Sequence, residues 1–271
     1  MMGKIKNKLK LEIHIPTFGS RINGLEKKIL IHPNVSYKII HQNYKHSAVN
    51  NNTLSELLRR KDTTYIESDS KGVAKSRNIG LLSASSNAII ILSDDDVMYN
   101  KIIFERIFHL FETNDIDFCT FSVGLIEDKD KEMLKYSKTS HKLNLFNVGK
   151  YGAINTAFKM HLIEKNNISF DNRFGPGGIY GIGEDFIFLI DLLKNGAKGL
   201  FFPEKLVFHN KDSTGTLANK EIFEDRGVMF LRAYGKFFGL LISIIFGLSK
   251  YKFKETIIMC SSLLKNLRFS R

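Results

Sequence analysis

The sequence predicts an α/β chain: a mostly parallel sheet with helices on both faces. Three observations carry this expectation. Strand-like and helix-like segments alternate through the first 123 residues. The run Ala88–Leu92 (AIIIL) is apolar throughout and mostly β-branched, the pattern of a strand buried on both faces. After Ser93 it gives way to three consecutive acids, Asp94, Asp95 and Asp96, at the carboxyl end of a strand, where sheets of this class hold their ligands.

The elements follow in order. Leu11–Ile15 (LEIHI) reads as a strand stopped by Pro16, and Ile22–Leu30 has helical spacing. Ser36–Ile40 is a second strand, running into His41-Gln42-Asn43. Leu54–Arg60 is a helix, Thr63–Glu67 a third short strand and Val73–Ser85 a helix. Lys101–Phe111 places Ile103, Phe104, Ile107, Phe108 and Phe111 on one helical face, and Asp117–Val123 is a strand. Residues 124–150 are charged and weakly patterned, which predicts a loop-rich excursion. A helix near Met160–Lys165 precedes Phe174–Gly183 (FGPGGIYGIG), whose five glycines suggest a mobile loop. The helix opened by Glu184-Asp185 ends at Gly196, and GLFFPE (Gly199–Glu204) is a strand. From Asp225 the chain is apolar and basic.

Composition narrows the partners. The chain of 271 residues is 43% hydrophobic, enough for a sizeable core, and carries a formal charge of +12. That excess calls for an anionic partner: a nucleotide, a nucleic acid or an anionic membrane surface. Two distant cysteines, Cys119 and Cys260, make neither a disulfide framework nor a zinc quartet, which suits a reducing cytosol. The basic N-terminus lacks the apolar stretch of a secretory signal. The longest apolar run, Phe237–Leu248, would cover only about 18 Å as a helix, too short to span a bilayer.

Three adjacent carboxylates repel one another, increasingly so where water is excluded. They are either turn formers or ligands of a divalent cation, Mg²⁺ or Mn²⁺, which favours carboxylate oxygens and takes its remaining ligands from phosphates. Glu184-Asp185 suit a helix N-terminus electrostatically whether or not they do chemistry. Lys71, Lys75 and Arg77 crowd the start of another helix, and no Walker-type phosphate loop is present.

Four motifs in order resemble glycosyltransferase family 2, of the GT-A fold. IHIPTFGSR resembles that family's first strand and loop. GVAKSRNIGL resembles its Arg-Asn helix start, ILSDDDV its acidic motif, and FDNRFGPGGIYGIGEDFIF its segment ending in Glu-Asp. The resemblance covers roughly Lys10 to Asn210. It implies a GT-A, Rossmann-like domain over residues 1–224, with a nucleotide-binding half (1–123) and an acceptor-side half (124–224). An amphipathic helical extension would follow over 225–271.

The resemblance also implies roles. Counting back from Asn100, where the family often has Pro, puts Ser93-Asp94-Asp95 on its Asp-x-Asp motif, with Ser93 departing from the first acid. Asp95 would then ligate the metal, Asp94 approach the ribose, and Asp96 the sugar or a metal-bound water. A shift of one, pairing Asp94 with Asp96, stays open. Pro16, Thr17, Phe18 and Arg21 would hold base, ribose and phosphate. Gln42 stands near the family's uracil-binding Asp and offers a carbonyl in its place. Arg77 would face base or diphosphate, His209 would be a further metal ligand, and Lys211 would face phosphate. Asp185 would be the general base of a single inverting displacement.

The expected function is therefore metal-dependent (Mn²⁺ or Mg²⁺) transfer of a sugar from a nucleotide sugar, UDP-linked, to a hydroxyl of a growing, lipid-linked surface glycan. The expected place is the inner face of the cell membrane, cytoplasmic and peripheral, held by the anionic surface through the basic C-terminal segment, with no nucleic acid involved. Packing of that segment on the core is the competing expectation. The rival functions are a nucleotidyltransferase acting on a sugar phosphate and a non-enzymatic basic membrane- or nucleic-acid-binding module.

Overall fold

The computed structural model describes residues 9–43, 45, 48–100, 102–210 and 220–267. Its first half is a run of parallel strands: β1 (Lys10–Phe18), β2 (Val35–Gln42), β3 (Thr63–Ser68) and β4 (Ala88–Leu92). Strand β1 lies between β2 and β4, and β3 is outermost. Helices α1 (Asn51–Arg59) and α2 (Val73–Leu82) make crossovers. The second half adds β5 (Met98–Tyr99), α3 (Ile103–Thr113), β6 (Phe118–Leu125), β7 (His141–Lys142), β8 (Thr156–Lys159), α4 (Met160–Asn166), α5 (Glu184–Lys194) and β9 (Gly199–His209). The nine strands among the described residues form one sheet in the order β3-β2-β1-β4-β8-β6-β9-β5, with β7 beside β9.

Strand β4 shows why its sequence carries no polar face. Ile89 and Ile91 enter the core on one side of the sheet with Leu11, Phe104 and Ile107. Ala88, Ile90 and Leu92 enter the other with Phe158, Phe188 and Leu189. Both faces are sealed, so the strand delivers its terminal acids from a fixed base.

Three elements depart from the sequence reading. Strand β1 continues through Pro16, which pairs in register with Ile40. Ser93 donates its backbone N–H to the carbonyl of His14, and the ladder to β4 ends there. Position 16 points the same way as position 14, past the end of β4, so the missing N–H costs no ladder bond. Residues 22–30 form no α-helix. Two 3₁₀ turns, Gly19–Ile22 and Leu25–Lys27, flank Gly24, whose φ of 84° interrupts the helical path. Strand β8 is antiparallel to β4 and β6, inserting one reversed strand into a sheet that is otherwise parallel at its centre.

Helix α6 (Lys220–Lys250) and α7 (Phe253–Lys265) close the chain. The 224/225 division falls inside α6, which enters the core at Ile222 and Phe223. By length and composition α6 is apolar enough to cross a membrane, but it is broken at Gly235 (φ 76°, ψ −176°). Each arm is then about fifteen residues, or ~22 Å, against a hydrocarbon core of ~30 Å. The arms fold back on one another. A Cβ on Gly239 would lie 2.7 Å from the Phe230 carbonyl oxygen, and one on Gly227 would overlap that of Met259. Met259 and Leu263 of α7 are fully buried. One side of this hairpin is thus core, in line with the packing alternative, while the other stays apolar and uncovered.

Candidate active site

The three acids after β4 do not share one environment. Asp95 turns inward and is 5% exposed. One of its carboxylate oxygens accepts from Thr17 Oγ1 at 2.7 Å, the other is held by Arg21, and Lys28 Nζ donates to its backbone carbonyl at 2.7 Å. Thr17 and Arg21 come from the end of β1 and the turn after it, so the PTFGSR loop and the acidic motif form one unit. Asp96 turns outward. Its Oδ1 faces His209 Nε2 at 3.3 Å as an ion pair, and its Oδ2 accepts from Arg21 at 3.2 Å. The His209 contact pulls Asp96 below the usual carboxylate range and lifts His209 to about 9. Nδ1 of His209 donates to the carbonyl of Asn210 at 2.7 Å, which leaves Nε2 as the atom aimed at the acids.

Asp94 faces Arg77 at 3.4 Å. Desolvation, helped by the neighbouring acids, raises its pKa against the opposing pull of Arg77. Arg77 is 3% exposed and sits at the centre of the site. Its guanidinium contacts Asp94 on one side and Glu184 and Asp185 on the other, and it lies 5.4 Å from the Phe170 ring. Phe170 is itself stacked on Phe188 of α5 at 4.2 Å. One buried cation therefore joins the acids after β4 to those opening α5, and an aromatic stack fixes its plane.

Asp185 is partly open to solvent, with a side-chain exposure of 26%. Its Oδ1 is held by Arg77 and its Oδ2 accepts from the Ala153 N–H at 2.8 Å. Glu184 is buried beneath it. Desolvation, the charge of Asp185 second, pushes its pKa up to about 7, with Arg77 opposing.

On the far side, Gln42 donates from Nε2 to Ser70 Oγ at 2.8 Å and to the carbonyl of Gly72 at 3.2 Å. A backbone carbonyl only accepts, so the amide nitrogen must face Gly72 and Oε1 is turned away. Beside it a cleft of about 360 Å³ is lined by Phe18, Asn43, Lys45, Asp69, Ser70 and Lys71, at the carboxyl ends of β1 to β3. The expected nucleotide residues Pro16, Thr17, Phe18, Arg21 and Gln42 thus share one end of the sheet with Arg77 and the three acids. Lys211 lies outside the described residues.

The glycine-rich loop is pinned where the sequence suggested mobility. The carbonyl of Pro176 accepts from Val73 N–H, Gly181 N–H donates to Asp225 of α6, and Tyr180 Oη reaches Asn266. Gly175, Gly177 and Gly183 have φ of 86°, 84° and 106°, so glycine serves the loop's shape. A Cβ on Gly177 would lie 2.8 Å from Gly72 Cα, so the loop also packs against the start of α2. Sequence reasoning missed Lys28, Phe170 and Ala153, whose roles come from a backbone carbonyl, a ring face and a backbone N–H.

Among the described residues, no three His, Cys, Asp or Glu side chains converge on a metal position. The nearest arrangement is Asp96 with His209. Asp96 Oδ1 is buried without a well-aligned donor, and the imidazole facing it has its other nitrogen committed. An oxygen and a nitrogen in that relation suit Mn²⁺ better than Mg²⁺, provided the imidazole gives up its proton. Asp95, the expected ligand, has both carboxylate oxygens engaged and reaches the same position only if Arg21 gives way.

A mostly parallel sheet that carries these acids at its carboxyl end, with a second acid pair across a buried arginine, is consistent with the GT-A fold. Residues 45–165 match the model of glycosyl transferase family 2. No curated protein matches the chain. Among solved structures it is similar to S. aureus TarS, at TM-score 0.61 and 14% identity over 97% of this chain and 44% of that one. It therefore spans less than half the length of that TarS chain. The crystal structure of TarS 1–349 in complex with UDP-GlcNAc matches at TM-score 0.65 and 16% identity, over 94% of this chain and 80% of that one. The UDP complex of the same fragment matches at TM-score 0.63 and 15% identity, over 97% of this chain and 83% of that one.

Proposed function

We propose that the protein transfers a sugar from a uridine-linked donor to a hydroxyl of a growing, lipid-linked surface glycan, with inversion and with the help of a divalent cation. The observation that carries this is Arg77, which holds Asp94 and Asp185 on opposite sides of one guanidinium. The donor's acids and the acceptor's base are thereby kept within reach of a single anomeric carbon. The UDP and UDP-GlcNAc complexes of TarS, which shares the fold, support the choice of nucleotide.

The residues divide the work. Phe18 and the cleft beside Ser70 receive the base, and the outward Oε1 of Gln42 accepts from the uracil N3–H. Thr17, Arg21 and Asp95 fix the floor under ribose and phosphate. Asp185 takes the proton of the attacking hydroxyl, and the Ala153 N–H and Arg77 hold its carboxylate in place. With Asp185 as the base and no protein nucleophile assigned, a single displacement would invert the anomeric centre. Asp96 and His209, joined by Asp95 once Arg21 moves, would hold the metal; when bound it would neutralise charge on the departing diphosphate. The basic, apolar C-terminal hairpin would keep the enzyme at the inner face of the membrane, where a lipid-linked acceptor is presented.

Product analysis tests the reading. Incubation with uridine-linked sugars, Mn²⁺ and a lipid-linked acceptor should release UDP and lose its turnover in excess chelator. Release of pyrophosphate from a nucleotide and a sugar phosphate would instead identify a nucleotidyltransferase.

A further inference from the structure

The second arm of α6, residues 236–250, is apolar on all sides, yet only one stripe is covered. Gly239, Ser243 and Gly247 pack inward, while Phe237, Phe238, Leu241, Ile244, Ile245 and Leu248 stay exposed at the spacing of one helical face. Exposed lysines flank it, Lys236, Lys250, Lys252 and Lys254 among them, and Glu255 is the one acid between residues 236 and 267. An apolar stripe ringed by cations complements an anionic lipid surface; a second copy of the same cationic face would repel it.

A second exposed aromatic lies on a turn that touches α6 beside its kink. Phe146 is 83% exposed, more than Phe237 at 76%. It is presented by a built turn: Asn144 Oδ1 accepts from the backbone N–H groups of Phe146 and Asn147, and Asn147 Oδ1 accepts from that of Asn144. The turn is moored to α6 at the kink, where Tyr234 Oη donates to the carbonyl of Leu145. Between His141 and Tyr151 there are two lysines, Lys142 and Lys150, and no acid. The same segment then leads to the base. A Cβ on Gly149 would lie 3.2 Å from the Phe186 ring, and Ala153 donates to Asp185. Phe146 and Ala153 are seven positions apart, a reach of at most about 24 Å.

We propose that the Phe146 turn is a second membrane-inserting element, which docks with the uncovered stripe of α6 on an anionic lipid surface and turns Asp185 toward it. A rigid two-point attachment fixes the tilt of the enzyme, which a single surface-lying hairpin does not. The sugar hydroxyl of an acceptor anchored in that surface then approaches the base along residues 146–153. This rests on the hairpin being the membrane-seeking part of the proposed function.

The chain contains no tryptophan, so each attachment point can be watched alone. Phe146→Trp and Phe237→Trp proteins are mixed with phosphatidylglycerol vesicles, with and without brominated acyl chains, and with phosphatidylcholine vesicles. In both proteins the indole emission should shift to the blue and be quenched by brominated chains in the anionic vesicles only. Phe146→Asp should weaken vesicle partition about tenfold, the loss of one buried aromatic, while donor hydrolysis in solution stays unchanged. Insertion at position 237 alone overturns the inference and leaves the hairpin attachment standing. Insertion at neither position overturns both. A blue shift of the Phe146→Trp protein that grows with protein concentration and needs no vesicles assigns the face to a second copy and also overturns the inference.

Discussion

Two arginines serve the two acid clusters of this site in opposite ways. Arg21 neutralises Asp95 and Asp96 from the surface, with 59% of its side chain exposed. Arg77 neutralises Asp94, Glu184 and Asp185 from inside, at 3%. The exposed partner can be displaced by a ligand at small cost, since surface pairs contribute about 0–1 kcal/mol. The buried one has no solvent to replace it, and removing one member of a buried pair costs about 3–5 kcal/mol. Under the proposed function, the cluster assigned to the metal would exchange partners during binding, and the cluster assigned to the base would stay fixed during chemistry.

Four substitutions break or sharpen this contrast. The largest effect falls on rate: Asp185→Asn keeps the shape but not the proton acceptor, and should lower kcat by roughly 10²–10⁴ with donor binding retained. Wild-type turnover by that variant would move the base to Glu184. Arg77→Met should come next, destabilising the fold by about 3–5 kcal/mol in denaturant titration because three acids lose their common cation. A loss below about 1 kcal/mol would show that Arg77 is no more than a surface ion.

Glu184→Gln should show itself through pH. The folded-state pKa of Glu184 is raised to about 7, so the native protein holds a proton that the unfolded chain releases near 4.5. Stability from this group is present below about pH 4.5, falls as pH rises through 7 and is flat above. The variant should therefore melt with the wild type at pH 4.5 and a few degrees above it at about pH 8, at roughly 2–4 °C per kcal/mol for a chain of this size. Equal melting at both values would place Glu184 in an ordinary solvated setting. The smallest effect belongs to Arg21→Met, which should change stability by less than about 1 kcal/mol and register instead as weaker nucleotide binding in calorimetry.

Much of this was legible in the sequence, for identifiable reasons. Strand β4 and the acids after it stood out because a doubly buried strand has no polar positions and three adjacent carboxylates need a cause. Helix α2 with Arg77, and α5 with Asp185, were found through short motifs that fix local shape. What the sequence withheld depends on contacts between distant segments. The residues 22–30 have helical spacing, but Gly24 adopts a backbone that no spacing rule reads. Strand β8 is four residues long and mostly buried, so neither length nor alternation marks it. The inward turn of Asp95 follows from Thr17, seventy-eight positions away. The fold-back at Gly235 converts one long apolar pattern into two short helices.

That fold-back bears on how the molecule comes apart. Phe230, Met259 and Phe174 belong to one cluster of side chains, so the first arm of α6, helix α7 and the loop before Asp185 share a single apolar interior. Among the described residues this cluster ties the last two helices to α5, which carries Asp185, through Ile187. Unfolding should be cooperative across both, with one transition for every probe. Heat, denaturant or a protease that loosens the last two helices would then disable the proposed donor site in the same event, and a ligand held there would protect the last helices.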